Sequence, residues 1–482
     1  VIPPLPTGFR IAIDADTKQL DGTTLFGGSP ARVLRLSASG LAAWTELRHG
    51  PVTSTASGVL ARRLTDAGLA HPRPPAAGAP DVTVIVPVRD RPTMLAGCLA
   101  ATGRRHPVVV VDDGSTDPRS VAAVAAEHGA TLVCRSDNGG PGAARNSGLD
   151  RVTSEFVAFL DSDCVAKPDW IDLLAGHFGD PLVAAVAPQV VALAASDHAG
   201  SGLDLGARAG RVVPGTRIAY VPTAALIVRR AALCDVGVFD AALRYGEDVD
   251  LVWRLHAAGW RVRYDPAVQV RHHEPGTWSG LLARRFRYGT SAGPLARRHP
   301  TALAPLVLHP WPTLTVAGLL ARRPLLAAAS FAGSVLAMNR TLRRAGLPTT
   351  GVLPPMLTGV RQTWLGMGRY ATQFAAPVLA AALLNPGGAT RVVRWGRRAA
   401  AASLLLGPPL TEWVARRPAL DPVRFTLVRV ADDIAYGAGV WAGCVRANTG
   451  RPLRPTIAWR PLRITSPDTK GRRRWATPGS RR

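Results

Sequence analysis

Four apolar runs constrain this chain more than any other feature. They are "DVTVIVPV" (81–88), "HPVVVVDDGS" (106–115), "ATLVCRS" (130–136) and "EFVAFLDSD" (155–163). The first is nearly continuous in β-branched residues, as suits a parallel strand covered on both faces, and the other three read as buried strands. The segments between them, "TMLAGCLAAT", "DPRSVAAVAAEHG" and "PGAARNSGLDRVT", read as helices. Strand and helix in alternation predict an α/β doubly wound sheet. Such sheets bind ligands outside the carboxyl ends of their strands, where Asp112, Asp113, Asp161 and Asp163 stand. Only Ser162 separates the last two, and carboxylates that close repel unless a cation relieves them. A hard divalent cation, Mg²⁺ or Mn²⁺, bridging them to the diphosphate oxygens of a substrate would do so.

Four further stretches carry chemistry. "VPVRDRP" (86–92) places Pro87, Arg89 and Asp90 at the end of the first strand. "SDNGGPGAARNSGL" (136–149) has glycines that let backbone approach a ligand, and Arg145 can meet a diphosphate or order the loop. It lacks the lysine of a P-loop, which excludes an NTP-hydrolysing site of that kind. "GEDVDLVWRLHAAGW" (246–260) opens a helix with Glu247 and Asp248, where negative charge is favoured, and sets Arg254 one turn from Asp250. "VQVRHHEP" (268–275) offers His272 or His273 as a cation ligand. Cys98, Cys134, Cys164, Cys234 and Cys444 form no C-x-x-C pair, so neither a zinc site nor a disulfide framework is expected.

The flanking segments differ in character. Residues 5–72 predict a small winged-helix-like module with strands at "FRIAID" and "ARVLRLS". Its helices carry Leu41, Trp44 and Leu47, then Leu60 and Leu64, with Gly68 as a stop. A Pro-rich linker follows at 73–80, then the α/β domain at 81–300. Residues 301–450 are apolar and Arg-flanked. Two uncharged stretches, 301–321 and 370–390, have the length of a membrane span but are broken by Pro305, Pro310, Pro312, Pro377 and Pro386. Their Arg flanks predict helices associated with the cytoplasmic face of a membrane, peripheral or multi-pass. The basic Pro/Arg-rich tail at 451–482 is expected to be disordered from about residue 465. The net charge of +25 points to anionic partners, although Arg-rich composition accompanies Ala, Gly and Pro here. Arg62 and Arg63 are too few to predict nucleic-acid binding. The start "VIPPLPTGFR" lacks signal-peptide features, so the catalytic part is expected in the cytoplasm.

Taken in order, "VIVPVRDRP", "VVDDGSTD", "NGGPGAARNSGL", "FLDSD", "GEDVDLVWRLHAAGW" and "VRHH" resemble the family 2 glycosyltransferases, which have the GT-A fold. The resemblance covers 81–300 and implies a nucleotide-sugar site that includes Pro87, Arg89 and Asp90. It implies Asp113 at the uracil, Asp112 at the nucleoside, Arg145 near the phosphates and Asp161 at ribose and metal. It also implies Asp163 and His272 (with His273 as the rival) at the metal, and Asp248 with Glu247 as the base region. Asp90 stands where the family often has Asn. The family's Q-x-x-R-W motif is missing, with "ARRFRYGTSAG" (283–293) in its place, which argues against processive polymerisation. The first module resembles the PqqD-like peptide-recognition domains. The whole organisation resembles the mycofactocin-system glycosyltransferases of actinobacteria. That implies inverting transfer from UDP-glucose to a peptide-derived redox cofactor, building an oligoglucoside. The competing readings are a family 2 transferase with a lipid or envelope-polysaccharide acceptor, a nucleotidyl- or phosphotransferase, and a non-catalytic peptide-binding scaffold.

Overall fold

The computed structural model describes residues 2–76, 78–193, 202–302, 304–344, 346–349, 351–385, 387, 390–458 and 463–465. The chain forms two compact units, one of residues 1–75, 345–348 and 460–482, the other of residues 76–344 and 349–459.

In the first unit, strand Arg10–Ile13 pairs antiparallel with Ala70–Arg73. Lys18–Gln19, Thr24–Gly27 and Arg32–Arg35 form an antiparallel meander. The two expected helices are Ala38–His49 and Thr55–Ala67. Ser37 caps the first by accepting from Gly40 N, and Ser54 closes a capping box with Ser57 on the second. Gly68 ends the second helix at φ +72°, a conformation that favours glycine. Leu5, Phe9, Trp44, Leu47, Leu60 and Leu64 fill the core. Leu41, expected on the buried face, is 36% exposed, because burying the bulk of Trp44 turns Ala43 inward and leaves Leu41 at the edge of the stripe. Arg62 is buried, its guanidinium donating to the Pro3 and Pro4 carbonyls. Within the tail, Arg463–Thr465 adds a parallel strand to Arg32–Arg35. Residues 466–482, where disorder is expected, lie outside the described residues.

The second unit is built on a nine-stranded mixed sheet. Along it the order is Cys164–Ala166, Arg261–His272, Val183–Ala192, Ala225–Arg229, Phe156–Leu160, Val82–Val88, Val108–Asp113 and Thr131–Arg135, with Gly210–Val212 paired to Arg261–His272. The four strands read from sequence lie side by side and parallel. Ala225–Arg229 joins them antiparallel, so the sheet is mixed. Helices Pro92–Thr102, Pro118–Glu127 and Pro141–Leu149 follow the first three strands. The last packs tightly because of Gly148, where a Cβ would meet Ile85 Cγ2 at 2.6 Å. That close approach brings Arg145 beneath the ends of the strands.

Residues 301–344 and 349–450 do not stand apart; they belong to the same compact unit as the sheet. Trp278–Thr290 lies against Pro422–Arg446 with backbones in contact: a Cβ on Gly439 would sit 2.0 Å from the Phe286 carbonyl oxygen. Neither uncharged stretch makes a long straight helix. The first becomes the short strand Val307–Leu308 and helix Pro310–Leu320, while the second ends the helix Leu353–Leu384, kinked at Ala375 ahead of Pro377. Among the described residues one helix, Pro324–Arg344, is long and apolar enough to cross a membrane.

Candidate active site

The acidic strand ends form three connected groups. In the first, Asp90 takes φ +54°, which aspartate tolerates better than most residues. There it accepts from Thr116 N at 2.7 Å while its own N–H donates to Ser115 Oγ at 2.9 Å. Asp112, buried, accepts from Ser115 N and Oγ at 3.0 and 2.5 Å. The two motifs after the first and second strands are therefore laced into one rim. The Thr116 amide holds the Asp90 carboxyl below its usual range. Arg89 pairs with Asp90 at 3.3 Å, and Pro87 lies half-buried opposite Val111 in the ladder. Asp113 is differently employed from the expected uracil contact. It is buried, and its oxygens accept from Arg135 Nε at 2.8 Å, Gly139 N at 3.0 Å and Gly140 N at 2.8 Å. Its work is to pin the glycine-rich loop.

Arg145 organises the second group. Expected near the phosphates, it is instead 2% exposed, donating from Nη2 to Asp161 Oδ1 at 2.7 Å and from Nη1 to Glu247 Oε1 at 2.9 Å. Its guanidinium lies over the Phe239 ring, 5.5 Å from the centroid. Burial alone would favour losing its proton, but Asp161 and Glu247 outweigh that and keep it charged. Burial pushes the Glu247 carboxyl up, opposed by Arg145. The neighbouring Asp248 forms no ion pair among the described residues, and its Oδ1 accepts only from Val249 N at 2.7 Å. Burial, followed by the adjacent Glu247 charge, pushes its pKa up to about 7. Tyr220 and Tyr288 share this environment, each raised first by burial and also by the Asp248 charge.

The third group is made by strand pairing. Cys164–Ala166 runs antiparallel to Val270–His272, with Cys164 opposite His272. This sets His272 Nε2 3.5 Å from Asp163 Oδ1, while the His273 N–H donates to the Asp163 carbonyl at 2.9 Å. His272 is the buried member of the pair and faces Asp163. Its Nδ1 meets Glu274 at 3.2 Å, and Glu274 in turn binds Arg284. Burial opposes a charge on His272, but Glu274 and Asp163 more than offset it and raise its pKa. Burial likewise raises that of Asp163. Arg91 donates to Asp163 Oδ2 at 2.8 Å.

The expected metal trio is therefore not assembled as such. Asp163 and His272 meet, but Asp161 is turned to Arg145, and no group of three or more His, Cys, Asp or Glu side chains among the described residues is arranged to hold a metal ion. Asp163 and His272 supply an oxygen and a nitrogen, a donor pair that suits a divalent cation whose other positions are filled by diphosphate oxygens. Arg91, Arg135, Glu274 and Arg284 are contributors that motif reading passed over. Arg91 lay inside "VPVRDRP" and Glu274 inside "VRHHEP", but no local spacing shows what a guanidinium or second-layer carboxylate will touch.

Comparison with known proteins decides the kind of site. The Glycosyl transferase family 2 pattern matches residues 83–232. The "Pre-mycofactocin glycosyltransferase" of Mycobacterium tuberculosis is 38% identical over 477 residues, covering 94% of this chain and 98% of that protein. The chain belongs to the pre-mycofactocin glycosyltransferase family. It is thus an enzyme that transfers sugar. A more distant relative is an O-antigen biosynthesis protein of Myxococcus xanthus, 28% identical over 55% of this chain and 25% of its own. Among solved structures, a mannosyltransferase of Pyrobaculum calidifontis in complex with GDP-Man and Mn²⁺ aligns with TM-score 0.39 and 20% identity over 69% of this chain and 89% of its own. In this transferase the family pattern includes Asp90, Asp112, Asp113, Arg145, Asp161 and Asp163 but ends before Asp248 and His272.

Proposed function

We propose that this glycosyltransferase moves glucose from UDP-glucose, with inversion, onto a peptide-derived redox cofactor of the mycofactocin type, adding successive glucose units. Near-full-length similarity to a protein named for a pre-mycofactocin acceptor supports the acceptor class. The observation that carries the mechanism is Asp248. Around Arg145, which engages Asp161 and Glu247, Asp248 is the carboxylate left without an ion pair among the described residues. A carboxylate with a pKa of about 7 is poised to take a proton near neutral pH.

In this reading Asp248 Oδ removes the acceptor hydroxyl proton as that oxygen attacks the anomeric carbon, and the sugar–diphosphate bond breaks on the opposite face. The Asp90–Ser115–Asp112 rim orients the nucleoside. Asp163 and His272 would hold Mg²⁺ or Mn²⁺, which supplies charge neutralisation for the departing diphosphate. Arg145 fixes Asp161 and Glu247 in place, so that Asp248 stands beside Glu247 rather than pairing with the arginine itself. The first unit serves as a PqqD-like module that captures the peptide portion of the acceptor and raises its local concentration. The Arg-flanked helices hold the enzyme at the cytoplasmic membrane surface.

Mass spectrometry after incubation with UDP-glucose, Mg²⁺ or Mn²⁺ and the redox-cofactor precursor tests the proposal. A ladder of hexose increments on the precursor is expected. Hexose transfer only to a lipid or polysaccharide, or release of inorganic diphosphate instead of UDP, would overturn it.

A further inference from the structure

Residues 301–410 contain eleven arginines and no aspartate or glutamate. Arg369 is met by Glu412 and Asp433 from beyond this stretch. The same stretch leaves large apolar side chains in the open: Leu325 is 85% exposed, Leu384 81% and Val392 64%. The three lie on helices Pro324–Arg344, Leu353–Leu384 and Arg391–Arg416.

Within this region helices Pro310–Leu320, Leu353–Leu384 and Arg391–Arg416 enclose an open groove of about 800 Å³. Its lining includes Val316, Leu320, Val360 and Trp364, with Arg322 and Arg361 also facing it. The Trp364 indole N–H donates to Ser403 Oγ at 2.9 Å, so the ring presents only apolar surface to the groove. Arg322 is fixed at the groove. It takes φ +57° and donates from Nη1 to the Val392 carbonyl at 3.1 Å. It crosses the helix at Gly396, where a Cβ would meet its side chain at 2.7 Å. Trp395, 58% exposed, lies under the Arg398 guanidinium at 5.8 Å. An indole beside arginines is the pairing found where apolar chain meets charged headgroup.

We infer that this groove binds an anionic phospholipid of the bilayer, one acyl chain lying along Val316, Leu320, Val360 and Trp364 and the phosphate between Arg322 and Arg361. The volume falls within the range of about 300–1,000 Å³ typical of ligand pockets. Two guanidiniums select a phosphate that carries no compensating ammonium, so phosphatidylglycerol is bound in preference to phosphatidylcholine. The inference rests on the membrane-surface reading above and names the site and lipid class that reading leaves open.

Full-length enzyme is mixed with vesicles carrying dibrominated acyl chains, and vesicle flotation and tryptophan fluorescence are followed together. Brominated phosphatidylglycerol is expected to quench a component that Trp364→Phe/Trp395→Phe removes. Arg322→Gln/Arg361→Gln is expected to weaken partitioning onto phosphatidylglycerol vesicles about 25-fold, roughly fivefold per arginine. Transfer to a soluble acceptor serves as the fold control for both double variants. Flotation with unchanged quenching in the tryptophan variant overturns the groove but leaves the membrane reading standing. Equal quenching by brominated phosphatidylcholine overturns the choice of lipid. No flotation on any vesicle overturns both.

Discussion

Two of the site's acidic pairs, Asp161/Asp163 and Glu247/Asp248, share one arginine, which treats them alike. Arg145 binds Asp161 with one nitrogen and Glu247 with another, taking one member of each pair. The members left over diverge. Asp163 acquires two neighbours that can carry positive charge, Arg91 at 2.8 Å and the His272 imidazole at 3.5 Å. Asp248 acquires none among the described residues and is pushed up to about 7. In the proposed mechanism the same residue type serves as a cation site in one place and a base in the other, because charge neighbours, not identity, set what a carboxylate does.

The largest effect should come from breaking the base side. Asp248→Asn is expected to lower kcat about a thousandfold, within the range of about 10²–10⁴ for general-base loss, while UDP affinity by calorimetry stays near wild type. The same variant should unfold no earlier than wild type at pH 8. The folded pKa of Asp248 lies above its unfolded value, so its stabilising protonated form is lost as pH rises through about 7, and asparagine removes that loss. A kcat within a few-fold of wild type would assign the proton to another group.

Removing the shared arginine should come next. Arg145→Met leaves Asp161 and Glu247 without their buried counter-charge, and chemical denaturation is expected to show a loss of about 3–5 kcal/mol. A loss below about 1 kcal/mol would mean that each pair is held independently. The pH profile sharpens the contrast: turnover should fall about tenfold per unit as pH drops below about 7, because Asp248 is then protonated, and the limb should vanish in the residual rate of Asp248→Asn. The smallest effect is at Arg91. Arg91→Ala removes a cation competing for Asp163, so Mn²⁺ affinity measured by calorimetry should rise about two- to fivefold, as for a partly exposed ion pair. Unchanged affinity would confine Arg91 to shaping its loop.

Much of the sheet was legible because its signals are local. Four apolar runs gave four parallel strands, and the acids after them fell at the expected edge. Asp117 capped its helix and Arg254 met Asp250 at 2.8 Å, one turn away. What the sequence did not show was the partners within the protein: Arg145 binds Asp161 and Glu247, and Asp113 binds Arg135 and the Gly139 and Gly140 amides, because buried charges must be matched from within. The uncharged stretches near 301–321 and 370–390 had the composition of spans, but prolines broke them into a short helix and a kinked one.

The sequence by itself determined which residues end strands, which open helices, and that acids would gather at one sheet edge, since strand periodicity and helix caps depend on neighbours within a few positions. Tertiary structure decided the rest. The ladder pairing Cys164 with His272 chose His272 over His273 to face Asp163, and Arg145 reached Glu247 across 102 positions to separate the base from its neighbour. Those assignments depend on distances of about 3 Å between side chains far apart in the chain, and electrostatic influence at that range exists only once the backbone has folded.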